Sequence, residues 1–278
     1  MIEGSQTAFT VLGGAGFIGR HLTSALHARG LSCLSPRRGD ATVFERQLGH
    51  VIYCIGVTAD FRTRTLETVE AHVCALVEFI ARARFDSFLY LSSTRVYKGA
   101  SSTEEESRLV VSPSDADDFY NLTKLTGEAL CLADRRDTVR VARLSNVYGR
   151  GMSSSFLASV IHDAVRTRHV VLQTSFDSEK DYICVDQVAD VLPRISIGGR
   201  ARLYNVASGV NTTNRQVADR LMQLTGCTVE EMANAGAVRF PPTATVRIRG
   251  EFGFQGSNLC HDLAEIVAHC KEAADGGA

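Results

Sequence analysis

Residues 10–19 read T-V-L-G-G-A-G-F-I-G. The apolar run from Ala8 to Leu12 predicts a buried strand, the glycines a tight turn, and Phe17 the entry of a helix. Gly13, Gly16 and Gly19 are spaced G-x-x-G-x-x-G. Gly13 lets the chain turn sharply off the strand, Gly16 leaves the backbone open to close approach, and Gly19 lets the helix pack tightly. The free N–H groups and positive end of such a helix attract phosphate. These glycines, with Phe17 and Ile18 at the head of the helix, are therefore candidate contacts for a dinucleotide. The spacing departs from the usual fingerprint G-x-G-x-x-G, and a plain strand-to-helix turn would also fit it.

The remaining composition bounds the answer. The chain has 278 residues, 45% hydrophobic and 22% charged, enough for a sizeable core in one large domain or two small ones. A net charge of −1 points to neither nucleic acid nor an anionic membrane. No apolar run is long enough to cross a bilayer. The N-terminus enters a strand almost at once, so no signal peptide is expected. The eight cysteines form no C-x-x-C pair, and we expect reduced thiols in a cytoplasmic protein, with no disulfide frame and no metal site.

Strands and helices alternate through the first half. A helix from His21 to Gly30 leads to a strand at Leu31–Ser35, and Val51–Gly56 is a buried strand. A long amphipathic helix follows over Leu66–Arg84, with Val69, Val73, Leu76, Val77 and Ile80 on its apolar side and His72 as a structural residue. Ser87–Ser93 is the next strand. Ser101–Asp118, with glutamates at 104 to 106, reads as a solvated loop. Tyr120–Ala133 is helical and Val139–Leu144 a strand. Later segments are shorter: a helix at Ser153–Arg168, strands at Val170–Gln173, Lys180–Asp186 and Leu203–Val206, and helices at Asn214–Leu224 and Asp262–Glu272. Gln187–Ile197 is a helix that Pro193 should interrupt. This alternation predicts an α/β fold, a Rossmann doubly wound parallel sheet with a smaller C-terminal substrate-binding lobe. The expected division is residues 1–147 for the dinucleotide and 148–278 for the substrate, with some later strands and helices returning to the first part.

In that fold an acidic residue usually ends the second strand and binds the adenosine ribose. Here the sequence is S-P-R-R-G-D, with Arg37 at that place and Arg38 after it. Two guanidinium groups suit a 2′-phosphate, which favours NADP, with NAD possible. Two solvated loop arginines are the plainer alternative. Gly56 ends its strand where the cofactor would cross.

Five motifs stand in order: the glycine turn, S-S-T-R-V-Y (92–97), Y-N-L-T-K (120–124), R-L-S-N-V-Y-G (143–149) and K-D-Y-I-C-V-D (180–186). Together they make the chain resemble the extended short-chain dehydrogenases, and within them the nucleotide-sugar epimerase, dehydratase and reductase branch. The likeness covers roughly residues 7 to 210. It implies that Ser93, Tyr120 and Lys124 are catalytic, that Tyr120 and Lys124 also touch the cofactor, and that Ser93, Thr94, Asn146 and Lys180 contact a nucleotide-sugar substrate. It also implies a homodimer through the two long helices. The chain departs from the family at Y-C-I-G, where H-x-A-A is common, at His72, where asparagine is common, and at Lys180-Asp181, where the family has Arg-Asp.

The chemistry fits these residue types. Tyr120 and Lys124 lie four apart and share a helix face. A lysine ammonium near a phenol favours its ionised form and so eases proton exchange. Ser93 can hydrogen-bond the oxygen that changes between carbonyl and hydroxyl. The implied activity is reduction of the 4-keto group of a nucleotide-linked deoxysugar, with Tyr120 as proton donor. An epimerase holding its NAD tightly, and a cofactor-sensing protein without turnover, are the alternatives. Sugar dehydratases of the branch carry Asp-Glu after the hydroxyl residue. Thr94 and Arg95 stand there, so no dehydratase activity is expected.

Overall fold

The computed structural model describes residues 9–153 and 155–275. Ala8, the expected start of the first strand, lies outside them. The chain begins β1 (Phe9–Leu12), α1 (Phe17–Ala28), β2 (Cys33–Leu34) and β3 (His50–Tyr53). A long helix follows in three parts: α2 (Thr65–Val69), a π turn at Glu70–Cys74, and α3 (Ala75–Arg82). Then come β4 (Ser87–Ser93), α4 (Asp118–Ala133), β5 (Val139–Leu144) and β6 (Asn146–Tyr148). The C-terminal part contains α5 (Phe156–Arg166), β7 (His169–Leu172), β8 (Glu179–Cys184), α6 (Val185–Gly198), β9 (Leu203–Val206) and β10 (Asn211–Thr213). It closes with α7 (Asn214–Thr225), β11 (Thr228–Glu231), α8 (Val246–Phe252) and α9 (Leu259–Asp275).

Six strands form one sheet in the order β2-β1-β3-β4-β5-β9, and every pairing in it is parallel. The strand order reverses beside β1, which opens a crevice at the carboxyl ends of β1 and β3. The alternation of side chains along each strand explains the two cores. Phe9, Val11, Ile52, Leu89, Leu91, Ala142 and Leu144 face one side with Leu22 and Leu26 of α1 and Val188, Val191 and Leu192 of α6. Leu12, Val51, Tyr53, Phe88, Tyr90, Val139 and Val141 face the other side with Leu76 of α3 and Cys131 of α4. Both faces are covered, so these strands are apolar along most of their length, with Arg140 and Arg143 of β5 buried against the Gly199 carbonyl and Glu128.

The C-terminal elements build smaller sheets, β10-β8-β6 and β11-β7. A third core under them joins α5, α7 and α9 through Leu157, Ile161, Val217, Leu221 and Leu263. β9 returns to the main sheet beside β5, and α6 packs with α1 on that sheet.

Several elements differ from the sequence expectation. Pro193 does not break α6, which is continuous from Val185 to Gly198. Pro193 is buried along with Val191, Leu192 and Ile195, and this packing outweighs the lost backbone bond. In the long helix the π turn shifts the buried face. Thr68, His72 and Leu76 are buried, whereas Val77 and Leu66 are exposed. The glutamates at 104 to 106 are not simply solvated. Glu105 is 3% exposed and accepts from the Asn205 N–H at 3.1 Å, while Arg247 of α8 grips Glu106 at 2.6 Å. All eight cysteines are free, but only Cys131 and Cys227 are buried; five are half-buried and Cys74 is exposed. No helix among the described residues is long and apolar enough to cross a membrane.

Candidate active site

The glycine turn is shaped by close backbone approaches. Gly13 has φ +83°, and a Cβ there would stand 3.0 Å from the Cys54 carbonyl carbon at the end of β3. A Cβ at Gly19 would stand 2.4 Å from the Gly13 oxygen, so the third glycine packs α1 against the turn itself. Gly14, not singled out from the sequence, is as constrained: its Cβ would meet Ser35 Oγ at 1.9 Å. Gly16 caps α1 with no side-chain acceptor and no acidic residue in the first turn. The first N–H groups of α1 are thus left for an anionic ligand. Arg20 folds its guanidinium onto the Ala15 carbonyl at 2.9 Å, adding a cation that the sequence reading missed.

A cleft of about 490 Å³ opens above these strand ends. Gly16, Phe17, Ile18, Gly19, Gly56, Ser93, Thr94, Tyr120, Lys124, Asn146 and Lys180 all line it, so the structure brings most of the expected site residues together. Gly13 lies just beneath them in the turn. Arg37 and Arg38 do not line the cleft; both are exposed on the loop after β2.

Helix α4 presents Tyr120 and Lys124 on one face, both almost fully buried. Lys124 Nζ donates to the Leu91 carbonyl at 2.9 Å and stands 6.0 Å from the Tyr120 ring centroid. Burial pushes the two groups in opposite directions. The Lys124 ammonium falls to about 7, with Glu128 opposing the shift. The Tyr120 phenol rises to about 12, against the pull of its hydrogen bond with Ser93 and of the Arg95 charge. The phenol is therefore neutral and can give a proton.

His72 ties this pair to the loop after β3. The Val57 N–H donates to its Nε2 at 3.2 Å, and its Nδ1 meets Thr123 Oγ1 at 2.9 Å. Thr123 spends its own hydroxyl proton on the Tyr120 carbonyl at 2.9 Å. Nδ1 must then be the protonated nitrogen and Nε2 the acceptor. Burial and the Lys124 charge hold the imidazole neutral, at about 2. Its ring also meets Tyr120 edge-on at 5.4 Å, and Phe61 packs on Tyr120 at 5.3 Å.

Behind the site Glu128 and Arg143 form a buried pair at 2.6 Å. Glu128 also accepts from Ser92 Oγ at 2.5 Å, and Arg143 donates to Tyr97 Oη at 2.7 Å. On the far wall Asn146 Nδ2 donates to the Asp181 carbonyl at 2.8 Å. The Asp181 carboxylate accepts from the N–H groups of Ser208 and Gly209 at 2.9 and 2.7 Å. Burial pushes Asp181 up and Lys180 down. Phe240, Pro241 and Thr243 close the cleft from a loop beyond the reach of the sequence motifs.

The profile of the NAD dependent epimerase/dehydratase family matches residues 9–207. The chain belongs to this family. No curated protein matches it. Among solved structures it is similar to MoeE5 in complex with UDP-glucose and NAD, at 22% identity and TM-score 0.80, over 96% of this chain and 99% of that one. It is also similar to RMD from Pseudomonas aeruginosa complexed with NADPH, at 21% identity and TM-score 0.78, over 96% and 100%. UDP-glucose 4-epimerase from Thermotoga maritima with UDP-glucose follows at 17% and 0.75, over 96% and 99%. As a member of the NAD dependent epimerase/dehydratase family, this enzyme uses NAD or NADP. The residues present fit that cofactor: the uncapped N-terminus of α1 suits a pyrophosphate, and Gly56 lines the cleft just beyond β3, where a Cβ would crowd His72 Nε2 at 3.3 Å.

Proposed function

We propose that this family member is an NADPH-dependent ketoreductase acting at C4 of a nucleotide-linked sugar. One observation carries the reading: Ser93, Tyr120 and Lys124 meet in one cleft, with the Tyr120 phenol and Lys124 on one face of α4. When bound, the dinucleotide supplies the hydride. The protein supplies the proton. Ser93 and Tyr120 hold the carbonyl oxygen between two hydroxyls, Tyr120 protonates it as negative charge develops, and Lys124 stabilises the phenolate left behind. The ligands of the neighbours, UDP-glucose in one and NADPH in another, support the substrate and cofactor classes.

Arg37 and Arg38 support NADP over NAD, from the loop that follows β2. Thr94 and Arg95 support reduction over dehydration, since neither can serve as the acid or base of water elimination near neutral pH. We further assign residues 1–147 to the dinucleotide and 148–278 to the substrate, with α6, β9 and α8 returning to the first part. The exposed Leu66, Val77 and Leu132 on α2, α3 and α4 fit a homodimer, checked by sedimentation; a monomer at micromolar concentration contradicts it. The free thiols suit a reduced cytoplasmic setting.

A reductase releases its oxidised cofactor every turn, whereas an epimerase regenerates it in place. Denaturing the purified protein and assaying the supernatant should therefore release dinucleotide well below one per chain. Stoichiometric NAD would favour the epimerase.

A further inference from the structure

Arg95 follows Ser93 on the turn that leaves β4, and its backbone N–H donates to Ser93 Oγ at 3.2 Å. Its side chain lines the cleft but is poorly held there. One Nη reaches the Asp117 carbonyl only at 3.5 Å, the guanidinium stands 5.5 Å from the Phe61 ring, and Nε is buried without a hydrogen-bond partner. The nearby carboxylates are engaged elsewhere: Asp117 with Arg62 and Asp115 with Lys98. Lys180, on the opposite wall, is in a similar state. Its Nζ lies 4.9 Å from the Phe156 ring centroid, and no carboxylate among the described residues pairs with it. Arg95, Tyr120 and Lys180 line the same cleft, and the Arg95 charge is felt at Tyr120 and Lys180 as well as at Asp115 and Asp117.

Neither cation forms a salt bridge with a carboxylate of the described residues, and both line the cleft, where an anionic ligand could pair with them. Lys180, beside Asn146, suits the diphosphate. Arg95 sits instead with Ser93, at the end where the reacting oxygen is held. A neutral sugar closing over it would strip water from a guanidinium and return no partner, an unfavourable exchange. A carboxylate would meet it with paired N–H···O bonds. On a hexose the exocyclic C6 hangs from C5, next to C4. We propose that Arg95 binds a carboxylate at C6, so that the substrate is a nucleotide-linked uronate. The proposal rests on the reading of Ser93, Tyr120 and Lys124 as the C4 site, and it replaces the neutral deoxysugar expected from the sequence. A 4-keto uronate is a β-keto acid; pairing its carboxylate with Arg95 keeps the charge on the oxygens and opposes loss of CO₂.

The test is calorimetric binding of matched ligands to the intact protein with NADP⁺ and, separately, NAD⁺ present. Each pair is a glucose and a glucuronate on the same nucleoside diphosphate, with uridine, guanosine and thymidine compared. For at least one nucleotide the uronate should bind about tenfold tighter or more. Arg95→Gln should erase that preference while the glucose form keeps its affinity within about twofold, and Arg95→Lys should retain part of it. Equal affinities in the wild type, a preference that survives Arg95→Gln, or no binding of either form overturns the proposal. So does an equal loss for both members of a pair in Arg95→Gln, which would assign Arg95 to the diphosphate. Failure of the ketoreductase reading looks different: the uronate preference and its dependence on Arg95 persist, but a 4-keto uronate nucleotide supplied with NADPH gives no net NADPH consumption.

Discussion

Burial moves Tyr120 and Lys124 in opposite directions, and each shift has a measurable consequence. Removing the Tyr120 hydroxyl should leave binding intact and slow reduction by roughly 10²–10⁴-fold; full activity of Tyr120→Phe would mean that another group donates the proton. Lys124 carries a stability cost. Its pKa falls from 10.5 to about 7 in the folded protein, so between those values the unfolded chain binds the extra proton and the folded chain does not. Stability then rises with pH across that window, and the full penalty applies below about 7. Lys124→Met should therefore stabilise the cofactor-free protein by about 1–3 kcal/mol at pH 6.5, with the gain fading toward pH 10, while turnover is lost. Denaturant melts at the two pH values check this, and a gain that does not change with pH contradicts it. These residues were legible in the sequence because Tyr120 and Lys124 share a helix face whatever surrounds them. Their pKa values were not, since the proximity of the lysine suggested an acidified phenol, and it is burial that decides.

The long helix shows where element-level reading stops. Its existence was plain from periodicity, yet the π turn at Glu70–Cys74 rotates the buried face onto Thr68, His72 and Leu76, and no apolar pattern announces it. The turn places His72 where it can accept from Val57 and donate to Thr123 at once. His72→Asn offers one short amide for that span. It should loosen Tyr120 and lower kcat by about 10–100-fold, with cofactor affinity little changed; an unaltered kcat would make His72 a packing residue only. Strands β4 and β5 matched their expected limits because both faces are covered and apolar residues fill most of each run, while the buried Arg140 and Arg143 of β5 find partners. β6, β10 and β11 were missed for the opposite reason: they are three or four residues long, too short for a periodic signal, and their pairing is set by tertiary contacts.

For the molecule as a whole, the order of motifs was enough to expect a parallel sheet with the glycine turn, Tyr120 and Lys124 around one cleft at its strand ends. The far wall was less legible, because Phe240, Pro241 and Thr243 arrive on a loop that only the packing of the C-terminal elements brings there. Cofactor choice belongs to this scale too, since Arg37 and Arg38 lie outside the cleft and the proposed NADP preference needs a cofactor long enough to reach them. Replacing both with alanine should weaken NADPH by about tenfold or more and NADH much less; wild-type protein that prefers NADH would refute the assignment. The central claim is net hydride delivery to C4, and labelled cofactor tests it most directly. NADPH deuterated at the transferring position of its nicotinamide ring, given with 4-keto sugar nucleotides, including a uronate, should leave one deuterium at C4 of the product for each NADPH consumed. No deuterium at C4 and no loss of NADPH absorbance, together with inversion at C4 of the matching 4-hydroxy sugar nucleotide supplied without added cofactor, would contradict the ketoreductase and identify an epimerase.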